Sequence, residues 1–291
     1  MLKALLFILI TLLIGLAISL YKDSSRTGLF ILNSALKISQ GIEVVRDLEF
    51  AKQPWQKLDV YPSPNTKIKA PVLVFIYGGG WSWGNKEMNY FVAQAFVKRG
   101  YTVVIPDYIK YPQGHFPDFI KDGALALAWV KANIGQYNGD PNQLFIAGHS
   151  AGAHTGALLV SDQQYLADVG MSIDDIKGFA GLAGPYTFTP KSAQYIATFG
   201  EENFQTMKVS SHIDGNTPPM LLLHAQGDST VGLFNQQDLA AALQSKGQVV
   251  QTKVYGTQIN HINILLKLHP WFADEVNTGQ DVDTFFKTLI Q

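Results

Sequence analysis

From Gly41 onward, short apolar runs alternate with longer stretches of helical spacing. Pro71–Tyr77 (PVLVFIY), Tyr101–Pro106 (YTVVIP) and Leu144–Gly148 (LFIAG) are almost continuously apolar. Such runs mark strands buried on both faces. Lys177–Gly184 (KGFAGLAG), Met220–His224 (MLLLH) and Val249–Tyr255 (VVQTKVY) read as three more. Ile42–Phe50 and Lys57–Tyr61 precede them and are bounded by Pro54 and Pro62. Helices are expected over Glu87–Arg99, Phe116–Ile134, Ser150–Ser161, Leu233–Lys246 and Asp274–Ile290. This alternation predicts an α/β fold: a mostly parallel central sheet with helices on both faces. The first two strands have no helix between them, which predicts an antiparallel N-terminal edge. One irregular stretch, Pro185–Pro218, interrupts the pattern. It holds Tyr186, Phe188, Tyr195, Phe199 and Phe204 and is expected to wall a pocket.

The N-terminus follows a different pattern. Ala4–Tyr21 carries no charge, and roughly 18 such residues cross ~27 Å as a helix. Two readings stay open: an uncleaved membrane anchor, or a signal cleaved near Ala17 and Ser19. Either places the catalytic domain outside the cytoplasm, anchored to the membrane or, after cleavage, secreted or periplasmic. Residues 1–21 thus form an anchor or signal segment, 22–40 a linker or amphipathic segment, and 41–291 the catalytic domain. Within the second, Gly28–Ile38 has helical spacing. It reads equally as a helix on a membrane surface, a flap over a site or a helix packed on the core.

Composition narrows the chemistry. The chain of 291 residues is 47% hydrophobic, enough for one large core. Its net charge of -1 and the lack of a basic run argue against nucleic acid as a partner. The absence of cysteine excludes disulfides, thiolate metal sites and a cysteine nucleophile. The histidine spacing suggests no metal site, and no cofactor is called for.

Gly148-His149-Ser150-Ala151-Gly152 is a G-x-S-x-G between a buried strand and a helix rich in small residues. That is the setting of a nucleophile elbow, a turn so tight that its ends tolerate almost no side chain. A serine hydroxyl needs a base, and the base needs an orienting acid. In such a fold both follow the serine, in the order acid, then histidine. Asp228 lies in the loop after Met220–His224, and His261 in the loop after Val249–Tyr255. Both loops belong to the sheet edge that exposes Ser150. His149 is expected to point away from the site, His154 to pack near it, His224 to sit in the core and His269 to end a helix. Asp238 reads as a solvated helix residue and Asp214 as a loop residue.

Acyl transfer also needs donors for an oxyanion, and backbone N–H groups are rigid ones. Gly78-Gly79-Gly80 follows a buried strand directly, and its bare backbone allows a substrate close approach. Gly79, Gly80 and Ala151 are the expected donors. Gly79–Gly84 also fits G-x-x-x-x-G, but Asn85 stands where a phosphate loop requires lysine. Trp81 and Trp83 are expected to be buried and to stiffen the loop, which argues against a flexible linker.

These motifs together resemble the α/β-hydrolase family of carboxylesterase and lipase type, in particular its prenylcysteine methylesterase-like and kynurenine formamidase-like members. LDVY (58–61), YGGGWSWG (77–84), PDYIKYPQG (106–114), GDPNQLFIAGHSAGAH (139–154), PPMLLLHAQGDSTV (218–231) and NHINIL (260–265) carry the resemblance. It implies Ser150 as nucleophile, Asp228 as acid, His261 as base, and the glycine loop with Ala151 as oxyanion donors. The function expected is hydrolysis of a small-molecule carboxylic ester through an acyl-enzyme, with a lipophilic ester as one reading of the substrate. A formamidase or amidase would use the same residues, and a non-catalytic binding protein can share the fold. Relatives often have histidine where this chain has Tyr77, which questions the geometry of the loop. They often have arginine where it has Ile109, so a local ion pair is expected to be missing.

Overall fold

The computed structural model describes residues 24–65 and 67–290. Ala4–Tyr21, and with it the anchor or signal expected there, lies outside the described residues. Among those described, no helix is long and apolar enough to cross a membrane.

The strands are β1 (Val45–Glu49), β2 (Lys57–Tyr61), β3 (Ala70–Ile76), β4 (Thr102–Pro106), β5 (Gly139–His149), β6 (Ile176–Leu182), β7 (Met220–Ala225) and β8 (Val250–Tyr255). They form one sheet in the order β1-β2-β4-β3-β5-β6-β7-β8. β1, β2 and β4 pair antiparallel, and every later pairing is parallel. The α/β fold with an antiparallel N-terminal edge is therefore present.

The helices are α1 (Ser24–Gln40), α2 (Tyr90–Val97), α3 (Asp118–Asn133), α4 (Ala151–Leu159), α5 (Gln163–Ala167), α6 (Ala193–Phe199), α7 (Phe234–Ser245), α8 (Asn263–Leu266) and α9 (Thr278–Lys287). Alternation along β5 explains how both faces are covered. Phe145 points to α9, where its ring packs 4.6 Å from that of Phe286. Ile146 points the other way, to Gly156 of α4. α2 packs with α9, and α3 packs with α4. Leu73, Phe75, Phe145 and Ile146 are fully buried between these layers.

Three elements depart from the apolar pattern. The helix expected over Glu87–Arg99 is a 3-10 turn, Lys86–Asn89, followed by α2. The side chain of Asn33 stabilises this break: its Nδ2 donates to the carbonyls of Met88 (2.8 Å) and Glu87 (3.2 Å), and its Oδ1 accepts from the Phe91 N–H (3.1 Å). The closing helix starts at Thr278, not Asp274, because Asn277 caps it by accepting from the Gln280 N–H. The irregular stretch contains α6, capped by Ser192.

Asn33 also fixes α1, together with the fully buried Leu36. α1 therefore packs against the 3-10 turn and α2. Asn33→Ala is expected to cost about 2 kcal/mol, since it removes three hydrogen bonds from a buried site. Amide exchange should speed up in α1 and at Phe91, which loses its acceptor, and little elsewhere.

Candidate active site

The elbow is shaped by what cannot fit. A Cβ at Gly148 would lie 2.5 Å from the Gly152 carbonyl oxygen, and one at Gly152 only 2.0 Å from that of Ile76. Bare backbones thus let the turn after β5 rest on the end of β3. Ser150 sits at the apex with φ 54° and ψ -124°, a strained conformation for a side chain. Its N–H donates to the Leu182 carbonyl at the end of β6 (2.9 Å), which fixes the turn from the other side.

The loops after β7 and β8 also meet through a glycine. A Cβ at Gly227 would lie 2.2 Å from the Thr257 carbonyl oxygen. This contact brings the next residue, Asp228, to His261. Asp228 Oδ2 lies 2.7 Å from His261 Nδ1, and His261 Nε2 lies 2.9 Å from Ser150 Oγ. An ionised carboxylate only accepts, so Nδ1 carries the proton of the neutral ring. Nε2 is then free to accept from the serine hydroxyl. Asp228 Oδ1 accepts from the N–H groups of Thr230 (2.8 Å) and Val231 (2.9 Å). Burial opposes the charge on Asp228, but the bonds from His261, Val231 and Thr230 outweigh it and hold the carboxyl below its usual range.

The glycine loop lies against the elbow. A Cβ at Gly78 would come within 3.0 Å of Ser150 Cβ. Gly79 and Gly80 have φ of 127° and 56°, and Gly79 has no room for a side chain beside the Trp83 carbonyl. Among the described residues, none accepts a hydrogen bond from the N–H of Gly79, Gly80 or Ala151. Gly79, Gly80 and Ser150 line one cavity of about 600 Å³. Among the described residues no cluster of side chains fits a metal ion.

The braces of this loop correct two expectations. Tyr77 supports the loop in its own way: its hydroxyl donates to Asp107 Oδ1 (2.5 Å), and its carbonyl accepts from the Tyr108 hydroxyl (2.9 Å). The Lys86 N–H donates to the same Asp107 oxygen (3.0 Å). The Lys86 ammonium is buried among Asp47 (2.8 Å), Asp59 (3.0 Å) and Glu87 (2.5 Å). Trp81 is buried, as expected, against Phe199, Phe188, Tyr195 and His154. Trp83 is not: it is 40% exposed and lines the cavity. Where Ile109 replaces an arginine, its N–H donates to the buried Asp122 (2.8 Å). Asp122 is further held by two neutral donors, Trp55 Nε1 (2.9 Å) and Gln56 Nε2 (2.6 Å).

The other histidines divide by location. His154 is buried and bonded through Nε2 to the Met207 carbonyl (2.7 Å). His224 is buried in β7, and His269 is buried against Gln94 (2.8 Å). Asp238 is exposed on α7 and Asp214 in a loop. His149 does not point away from the site. It lines the cavity, its ring lies 4.8 Å from that of His261, and its Nε2 is 2.8 Å from the His261 carbonyl oxygen. The acceptor is a carbonyl, so His149 donates and supports the backbone that carries His261. Its position beside Ser150 was visible in the sequence, but its partner 112 residues away was not. Of the readings open for Gly28–Ile38, the structure combines two: the helix packs on the core through Leu36, and Gly28, Leu29 and Leu32 line the cavity.

Two outcomes are expected from these contacts. Tyr77→Phe leaves the half-buried Asp107 without one donor and should destabilise the fold by about 1–3 kcal/mol, read from the urea midpoint. Tyr77→His should lower activity, because Tyr77 has its own bonded role. The second outcome concerns acid. Burial, reinforced by the nearby His261, pushes His149 down to about 3, and burial pushes His154 down to about 4. In the unfolded chain both take a proton near pH 6.5. Between those limits the unfolded state binds more protons, so stability should fall as pH drops from about 6.5 toward 4. Melting temperatures across that range should decline, and His154→Phe should reduce the slope.

The comparisons agree with this architecture. The BD-FAE family model matches residues 58–180, which span β2 to β6 and include the glycine loop and the elbow. Isoprenylcysteine alpha-carbonyl methylesterase ICME of Arabidopsis thaliana is 29% identical over 263 residues, covering 82% of this chain and 60% of that protein. Esterase LipC of Mycobacterium tuberculosis is 28% identical over 227 residues, covering 70% of this chain and 56% of that one. The chain thus spans a little over half the length of these curated relatives. Among solved structures, esterase B from Lactobacillus rhamnosis superposes with a TM-score of 0.78 at 19% identity, covering 96% of this chain and 95% of that one. A carbohydrate esterase from gut microbiota superposes at 0.74 with 17% identity, covering 85% and 96%. The sheet order, the elbow and these likenesses together give the chain the α/β-hydrolase fold and make it similar to carboxylesterases.

Proposed function

We propose that the protein hydrolyses carboxylic esters through a covalent acyl-enzyme. The observation that carries this reading is the chain Ser150 Oγ, His261, Asp228, with contacts of 2.9 and 2.7 Å, beside unbonded backbone N–H groups. The relatives' names, methylesterase and esterase, support ester chemistry.

Ser150 Oγ attacks the carbonyl carbon while its proton passes to His261 Nε2. The carbonyl oxygen becomes an oxyanion, which accepts from the N–H groups of Gly79, Gly80 and Ala151. Collapse of the tetrahedral adduct breaks the ester C–O bond, and the alkoxide leaves with the proton from Nε2. The acyl group remains on Ser150. Water then gives a proton to Nε2 and attacks the acyl carbon. The second adduct expels Ser150 Oγ, which recovers the proton, and the acid departs. Asp228 stays ionised throughout and holds the imidazole in the tautomer that each step needs. A carboxyl held below its usual titration range fits this task.

Ser150→Ala is expected to lower kcat on p-nitrophenyl butyrate by about 10⁴-fold or more, with folding unchanged. Equal turnover by the variant and the native chain would remove Ser150 from the mechanism.

A further inference from the structure

The cavity beside Ser150 continues into a space that the triad does not use. One side is α1, through Leu29 and Leu32. The other is α8 and its flanks, through Ile262, Leu265, Leu266 and Phe272. All six side chains are apolar. At about 600 Å³ the cavity falls in the roughly 300–1,000 Å³ range of sites that take a drug-sized ligand, far more than an acetyl group requires.

Gly28 stands in the wall of this space. It lies inside α1, where glycine costs roughly 0.5–1 kcal/mol against alanine. Other glycines of the site explain themselves by a neighbouring backbone that would clash, as at Gly78 and Gly79, or by a positive φ, as at Gly80 and Gly84. Gly28 does not: among the described residues, nothing lies within 4 Å of where its Cβ would be. Its φ needs no glycine either, since it lies outside the left-handed region. Among the described residues, no contact accounts for the missing side chain. Gly28 is exposed and is one of the residues that line the cavity.

We propose that the groove between α1 and α8 holds a long apolar arm of the ester, and that Gly28 leaves room for its far end. The substrate class is then an ester with an extended aliphatic or similarly apolar group. This deepens the hydrolase reading and rests on it. α1 acts as a specificity wall: Asn33 and Leu36 fix its position, and residue 28 limits how much chain fits.

The test compares the native chain with Gly28→Phe and Gly28→Ala on p-nitrophenyl acetate and p-nitrophenyl decanoate. Phenylalanine at 28 should fill open space without a clash, and circular dichroism should confirm that the helix remains. The native chain should prefer decanoate. Gly28→Phe should shift the kcat/KM ratio toward acetate by about ten-fold or more, and Gly28→Ala by less. A ratio that is unchanged in Gly28→Phe would overturn the proposal. Calorimetric titration with 2-dodecanone, an uncleavable apolar carbonyl compound, separates the two readings. If the native chain cleaves no ester yet binds this ketone, and Gly28→Phe loses it, the hydrolase reading falls and the groove stands. If both bind it equally, or neither binds it, the groove is wrong whatever the activity.

Discussion

The site depends on one close approach of backbones. The turn after β5 rests on the carbonyl ends of β3 because Gly152 presents no side chain to Ile76. The register of the two strands, Ile76 opposite Gly148, brings both ends to the same level. The loop after β3 therefore begins beside the loop that carries Ser150. Any side chain at 152 would push the serine away from the glycine loop, and Gly79 and Gly80 would no longer line one cavity with Ser150. The strain at Ser150 follows from the same contact, since a relaxed turn would not be tight enough.

A second approach repeats this economy on the other half of the sheet. Gly227 lets the loop after β7 touch the loop after β8, and the Asp228–His261 contact depends on it. Parallel strands make both approaches possible, because their C-terminal ends collect loops at one edge. The helices contribute rigidity more than chemistry. α4 is rich in small residues because it must pack closely on β5 and β6: a Cβ at Gly156 would lie 2.8 Å from the ring of Phe179.

The sequence showed clearly the elements whose pattern comes from burial. Continuous apolar runs marked the central strands, and strand ends plus glycine placement located Ser150, Asp228 and His261. Positions decided by distant partners were not legible. Asn33 breaks a helix more than fifty residues away, and no local pattern records that. The short helix α6 was missed because its stretch has aromatic spacing without a clear period. Trp83 was expected to be buried for its size, but its place on the rim exposes it to the cavity. Divergence of neighbours on a turn argues against a place for His149 at the site, yet it lines the same cavity as Ser150 because the chain returns at His261 to meet it.

Tyr77 has a consequence for how the protein meets a changing environment. A histidine in that place would gain charge near pH 6.5, within the range many compartments traverse. The Tyr77 phenol is driven the other way, since burial and the neighbouring Asp107 raise its ionisation well above 10. The support of the glycine loop thus keeps its own proton from acidic to mildly alkaline conditions. With a phenol in place of the relatives' imidazole, the donor that braces the glycine loop has no titration of its own in that range, and any response to acid there falls to its acceptor, Asp107, whose carboxyl burial pushes up.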